Sequence, residues 1–154
     1  MSAITEVLDQ QRFFAGLSAE AMEAIAGCGQ EVKLDQETIV LVENQPADTF
    51  YLLLSGLVAL EVATPRQGPF VIETIGPGEI LGVSWLLPPY RWTFDARVVS
   101  EAHTIAIDAI CLRQRCDADP RLGYELFQRF ASPIRDRLQA TRLQLIDLYG
   151  NHAS

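Results

Sequence analysis

Between Val32 and Ile107 the apolar and β-branched residues come in runs of three to six, each too short for a helix and each closed off by a turn cluster. The runs are Val32–Leu34, Thr38–Val42, Phe50–Leu54, Leu57–Val62, Phe70–Ile75, Ala96–Val99 and His103–Ile107. Glu-Asn-Gln-Pro, Pro-Arg-Gln-Gly-Pro and Gly-Pro-Gly separate them. Seven or eight short strands at this spacing predict a mainly β fold with flanking helices, a jelly-roll or barrel. The chain of 154 residues is one domain's worth and can bury roughly 68–70% of its unfolded surface. The expected layout is N-terminal helices over 1–30, the β-barrel over 31–108, and C-terminal helices over 109–150.

The period is helical on both sides of the strands. Thr5 before Glu-Val-Leu-Asp and Ser18 before Ala-Glu-Ala-Met are expected N-caps, Gly27 and Gly29 are the stop, and Phe13, Phe14 and Leu17 are expected to pack inward. Further on, Asp108 is placed to cap a short helix through Cys111, and Asp119-Pro120 is an N-cap followed by Pro at the first helical position. Ser132-Pro133 repeats that device and predicts a helix break at Ser132. Beyond it Ile134, Leu138, Thr141, Leu145 and Leu148 follow 4-3-4-3 spacing, which fits the seam of a coiled-coil dimer and also a stripe packed on the protein's own strands.

Charge and composition narrow the function. A net charge of −8 and a pI near 4.7 oppose binding to a nucleic-acid backbone, which needs a positive patch. No run of 18 apolar residues provides a membrane span, and Met1–Gln11 is too polar for a signal segment, so a cytoplasmic protein is expected. Cys28, Cys111 and Cys116 form an odd set, read as reduced thiols rather than a disulfide framework or a metal site. A nucleophilic enzyme is disfavoured because Gly-Val-Ser-Trp-Leu around Ser84 lacks the second Gly of a nucleophile elbow, and His103 alternates with Ile105 and Ile107 as strand residues do. Asp117, Asp119, Glu20 and Glu23 fall at helix starts, where negative charge offsets the macrodipole.

The segment 76–97 is the candidate ligand loop. Glycines at 76, 78 and 82 would permit φ > 0 and bring N–H groups to an anion, Arg91 and Arg97 add cations, and Tyr90 and Trp92 could stack on a ring. The alternative is a plain Gly/Pro connection between strands. Likewise Arg66, Arg91, Arg97, Arg113 and Arg115 are either ligand contacts or solvated surface charges.

Glu43-Asn44-Gln45-Pro46-Ala47-Asp48-Thr49-Phe50-Tyr51, followed by Gly56 and Val58, resembles the first half of the cyclic nucleotide-binding domain of catabolite-activator-type regulators. The loop that follows resembles that family's phosphate-binding cassette, and the likeness runs from about Phe13 to Tyr149. The resemblance implies a ligand site at Gly78, Glu79, Ile80, Leu81, Gly82, Val83, Ser84, Tyr90, Arg91, Trp92 and Thr93. The family's cassette uses a Gly-Glu pair, whose Glu holds the ribose 2′-hydroxyl, and an Arg that pairs with the cyclic phosphate. Here Gly82 matches, but Val83 stands at the Glu position and the Arg falls at about Trp92 or Thr93. The chain is similar to a divergent subgroup of short bacterial members. It ends four residues after Gly150, so a sensor without the family's DNA-reading helix-turn-helix is expected, dimeric through the C-terminal helix as the family is. The implied ligand is a cyclic nucleotide or NAD(P)H. The alternative is an adaptor or accessory subunit of the kind found with NAD-linked hydrogenases, with or without a ligand.

Overall fold

The computed structural model describes residues 3–65 and 68–152; Arg66 lies outside the described residues. Two N-terminal helices, α1 (Ala3–Asp9) and α2 (Ala19–Gly27), flank a 3-10 turn at Arg12–Phe14. Six strands follow: β1 (Gly29–Leu34), β2 (Ile39–Leu41), β3 (Thr49–Thr64), β4 (Gly68–Ile75), β5 (Ile80–Leu81) and β6 (Asp95–Asp108). The helices α3 (Ala109–Ala118) and α4 (Pro120–His152) complete the chain. Every strand pairing is antiparallel. The main path runs β1-β6-β3-β4, with β2 added to β6 and β5 to β3. This is the expected jelly-roll architecture with flanking helices, but the sheet is open: β1 and β4 end the path without pairing to each other among the described residues.

Among the described residues six strands replace the predicted seven or eight: two pairs of the seven runs are continuous, which leaves five, and β5 is a short strand inside the loop that no run predicted. Phe50–Leu54 and Leu57–Val62 are one strand, β3, and Ala96–Val99 and His103–Ile107 are another, β6. What read as a break at Ser55-Gly56 is a cluster of register shifts against β6, at Leu53/Ser55, Ser55/Leu57 and Leu57/Val58. Gly56 sits there at φ +95°, where a Cβ would lie 2.6 Å from the Ala102 Cα and closer still to the Glu101 carbonyl oxygen. Bulges of this kind bend a strand and raise its twist. Each half of β3 thereby acquires its own partner: the first half takes β5 and the second takes β4.

Several helix ends differ from expectation. Ser18 caps α2, its Oγ accepting from the Ala21 N–H at 3.1 Å, and Asp108 caps α3 through the Cys111 N–H at 3.0 Å. Helix α3 runs beyond Cys111 to Ala118. Thr5 lies inside α1 rather than capping it, since the helix already begins at Ala3. The predicted break at Ser132 does not occur, and α4 continues through Pro133. A proline inside a helix costs about 3 kcal/mol through a lost hydrogen bond and a ring clash. Burial of Leu122, Leu126 and Phe130 on the preceding turns, and of Ile134 in part, offsets that cost. Asp119 behaves as predicted, accepting from the Arg121 N–H at 3.2 Å with Pro120 at the first helical position.

The cysteines also depart from expectation. Cys28 and Cys111 form a disulfide across 83 residues, and only Cys116 is free. Their Cα atoms lie 5.9 Å apart because α3 leaves the end of β6 beside the end of α2, an adjacency that no local spacing encodes.

Because Gly56 has backbone on its Cβ side and a positive φ, Gly56→Ala is expected to lower unfolding free energy by more than ~2 kcal/mol. Gly68, also at positive φ but with nothing within 4 Å, is the control and should lose less on the same change. Urea midpoints of the two variants against the parent check this.

Candidate functional site

The loop between β4 and β6 is held on both sides by hydrogen bonds that start from its own sequence. Gly78 at φ +84° turns the chain so that its N–H donates to the Leu53 carbonyl at 2.7 Å, and the Leu53 N–H returns a bond to the Glu79 carbonyl at 3.0 Å. The Glu79 carboxylate closes the same turn by accepting from the Gly76 N–H at 2.9 Å. Gly76 itself is not at positive φ, so only Gly78 and Gly82 of the three predicted glycines use that freedom. A 3-10 turn at Ser84–Leu86 follows Gly82, and the chain then passes the cis Pro88–Pro89 bond to Tyr90. The N–H groups of Gly82, Val83 and Ser84 take part in none of these loop bonds.

The Glu43–Asp48 segment is laced to the far side of the loop. The Asn44 N–H donates to the Trp92 carbonyl at 2.8 Å, the Trp92 N–H to the Gln45 carbonyl at 3.0 Å, and the Ala47 N–H to the Tyr90 carbonyl at 2.7 Å. Arg91 adds a fourth link by donating from Nη1 to the Asn44 carbonyl at 2.7 Å. The two segments singled out in the sequence are therefore joined by backbone.

The predicted site residues divide among several environments. Val83, Ser84, Arg91 and Thr93 line a largely apolar cavity of about 340 Å³ that Ile134 and Leu138 of α4 close from the other side. Among the described residues Arg91 is its one charged lining residue. Gly78, Glu79 and Ile80 line a different cavity of about 360 Å³, shared with Arg12, Arg129 and Asp136. Leu81 is buried in the core. Trp92, expected to stack on a ligand ring, is only 5% exposed, and its ring lies over Gly82, where a Cβ would be 2.6 Å from Cη2. A side chain so enclosed presents no face to solvent. Tyr90 is exposed at φ +58°, and the Arg113 guanidinium lies 4.5 Å from its ring centroid, so one face is already taken.

Arg97 is likewise committed. Its Nε meets the Glu61 carboxylate at 2.7 Å and its Nη1 lies 3.5 Å from Glu37, contacts that push the guanidinium still further above its ordinary range. It serves β6 and β3 rather than a ligand. Arg115 lies beside Gly27, where an added Cβ would sit 2.9 Å from Nη2, far along the chain from the loop.

Arg113 is the residue that sequence reasoning left unassigned between surface and site. From α3 its Nη1 donates to the Trp85 carbonyl at 2.7 Å and to the Ala47 carbonyl at 3.1 Å, and Nη2 lies 3.9 Å from Asp48. One fork thus ties the 3-10 turn of the loop to the Glu43–Asp48 segment. No sequence signal marks it. Trp92 did carry one: the alternation Trp92, Phe94, Ala96, Val98 is the inward face of β6 continued backwards, and all four are buried.

Side chains for metal or nucleophilic chemistry do not converge. Among the described residues no group of three His, Cys, Asp or Glu side chains could hold a metal ion. His103 pairs with Glu101 on β6 at 3.6 Å and shares no cavity with Ser84.

Comparison with known proteins gives the family. The description "Cyclic nucleotide-binding domain" matches residues 31–119. A CRP-like cAMP-activated global transcriptional regulator of Mycobacterium tuberculosis is 25% identical over 143 residues, covering 93% of this chain; the chain spans 62% of that protein's length. A crystal structure of a candidate cyclic nucleotide-binding protein from Geobacter metallireducens GS-15 superposes with a TM-score of 0.78 at 30% identity, covering 90% of this chain and 99% of that one. The sensor domain of the transcriptional regulator DNR from Pseudomonas aeruginosa shares the fold, with a TM-score of 0.68 at 18% identity over 88% of this chain and 91% of the other. The chain belongs to the cyclic nucleotide-binding domain family.

Trp92 and Gly82 should be energetically coupled. Gly82→Ala combines a φ of +99° with a clash against the indole, whereas in a Trp92→Ala background only the backbone strain remains. A double-mutant cycle is expected to show a coupling of at least ~1 kcal/mol.

Proposed function

We propose that this domain is a non-enzymatic regulatory module that senses a small anionic ligand in the cavity between the loop and α4, with Arg91 as its anchor. The observation that carries the reading is the lining itself: among the described residues Arg91 is the one charged side chain, Ser84 and Thr93 line the cavity with it, and the other walls are apolar. Arg91 uses Nη1 on the Asn44 carbonyl, and its remaining donors have no protein partner among the described residues. A guanidinium so placed takes a phosphate or carboxylate through charge-assisted bonds.

The loop departs from the family's cassette pattern at its Glu and Arg positions. Val83 is buried and cannot accept from a ribose hydroxyl, and Trp92 fills the space over Gly82 with an apolar ring. Hydrogen bonds to charged groups contribute about 1.5–3 kcal/mol each, so losing two weakens cyclic AMP by roughly 10²–10⁴-fold against a cassette that keeps both. The same plugging by Trp92 favours a second reading, an adaptor subunit whose cassette is structural and whose α4 docks on a partner. In both readings the chain acts as a homodimer through Ile134, Leu138, Thr141, Leu145 and Leu148. Leu138 is 52% exposed and Ile134 is packed against the core in part, while the side chains of Thr141, Leu145 and Leu148 lie outside the described residues.

Calorimetry with cyclic AMP, cyclic GMP, NADH and NADPH on the parent and on Arg91→Ala tests the first reading. The best ligand is expected to lose at least ~10-fold in affinity on the substitution, since a charge-assisted contact of 1.5 kcal/mol or more is removed. Affinity unchanged by Arg91→Ala, or sub-micromolar cyclic AMP binding, contradicts it. For the dimer, sedimentation should give twice the monomer mass for the parent and a folded monomer for Leu138→Asp.

A further inference from the structure

We propose that Cys28 and Cys111 form a redox-active dithiol–disulfide site whose state governs the seating of α3 and, through Arg113, the closure of the ligand loop on the Glu43–Asp48 segment. The disulfide joins the C-cap of α2 to the first turn of α3. Backbone bonds bring the two residues together independently of the sulfur bond. The Asp108 N–H donates to the Cys28 carbonyl at 2.8 Å, and the Asp108 carboxylate accepts from the Cys111 N–H at 3.0 Å. A pair held this way stays poised to close again after opening.

Access suits thiol exchange through Cys111, which is half-buried where Cys28 is buried. Both cysteines line a surface cleft of about 410 Å³, together with Gly27, Asp48 and Asp108. The Arg115 guanidinium rests on Gly27, next to Cys28, close enough that a methyl group there would lie 2.9 Å from Nη2. Cys111 occupies the first turn of a ten-residue helix. Arg115 and the N-terminus of α3 bring positive potential to the cleft, and the Asp48 and Asp108 carboxylates that share it oppose that, so it is access to the sulfurs that carries the site. The third cysteine stays apart: burial, then the charges of Asp117 and Asp119, push the Cys116 thiol up and keep it protonated.

The reductant is a dithiol of the small-molecule or protein type. One of its thiolates attacks a sulfur of the pair, giving a mixed disulfide and releasing the other sulfur as a thiolate, which takes a proton. The second thiol of the reductant then displaces the remaining sulfur. The Cys28–Cys111 bond is broken, the pair has gained two electrons and two protons, and the reductant leaves as its disulfide. A disulfide oxidant of the same class reverses the sequence. Opening removes the covalent tie between α2 and α3, and Arg113, two residues beyond Cys111, is the α3 side chain that holds the Trp85 and Ala47 carbonyls.

The test uses the full chain with Cys116→Ser, so that only the pair reports. Maleimide labelling in denaturant after native incubation with dithiothreitol is expected to rise from none to two per chain. Reduction should lower Tm by ~10 °C, the order anticipated for a long closed loop, and alter the emission of Trp85 and Trp92. Arg113→Gln in the oxidised protein should reproduce the emission change, with little added by reduction. Amide exchange over 43–48 and 82–93, oxidised against reduced, gives the same readout without that variant and should rise on reduction. The proposal is overturned if no label enters after native reduction, if two labels are present before reduction, or if labelling reaches two with emission and exchange over those segments unchanged. The last result would leave the bond as a staple alone.

Discussion

Trp85 holds the ligand loop to the rest of the molecule. It is fully buried in the 3-10 turn, stacks on Phe50 of β3 with ring centroids 4.6 Å apart and planes 9° from parallel, and meets Phe130 of α4 edge-on at 5.1 Å. Phe130 in turn touches Phe13 and Phe50 edge-on at 5.1 and 5.4 Å. Loop, strand, N-terminal turn and C-terminal helix converge on four rings. Aromatic pairs contribute about 0.5–1.5 kcal/mol beyond the area they bury, so the cluster fixes geometry as well as adding stability. Its one unmet demand is the Trp85 Nε1–H, which is buried without a partner among the described residues.

Polar contacts convert that anchorage into a defined loop. Arg113 reaches the carbonyl of Trp85 itself, so the residue that fixes the turn from inside is also held from α3 outside. On the helical side Glu125 of α4 accepts from both the Ser18 N–H and the Ser18 Oγ–H at 2.7 Å, and Arg129 donates to the Phe13 carbonyl at 3.1 Å. Ser18 is thus an N-cap and a docking point at once. The loop, α3 and α4 form one connected set of contacts, and the cavity holding Arg91 lies within it.

The fold class was legible because β-branched alternation and turn clusters are local signals, and so were the caps at Ser18, Asp108 and Asp119. What was lost depended on neighbours. Ser55-Gly56 separated two apolar runs in the sequence, and only the facing Glu101-Ala102 backbone makes it a bulge within one strand. Ser132-Pro133 carries the same local message as Asp119-Pro120, and core burial of Phe130 and Ile134 decides between a break and a continuous helix. The cysteine pair has no local signature at all. In the site, Arg91 was picked out by its place in the loop, but the inward phase of Trp92 was overlooked in favour of its aromatic character, and Arg113 became meaningful only once α3 was seen to face the loop.

The continuity of α4 has a mechanical side. Its 33 residues span about 50 Å at 1.5 Å per residue. Among the described residues core packing ends near Ile134, and Leu138, Leu143 and Ile146 are each more than half exposed. Pro133 sits at the root of this C-terminal stretch, where the missing N–H removes one rung of the helical ladder. The 18 residues beyond Ile134 rise about 27 Å, so a 5° bend at that root would move the far end by roughly 2 Å. Pro133 borders one loop cavity and Ile134 the other, so the root of that lever lies where a displaced loop would act on it.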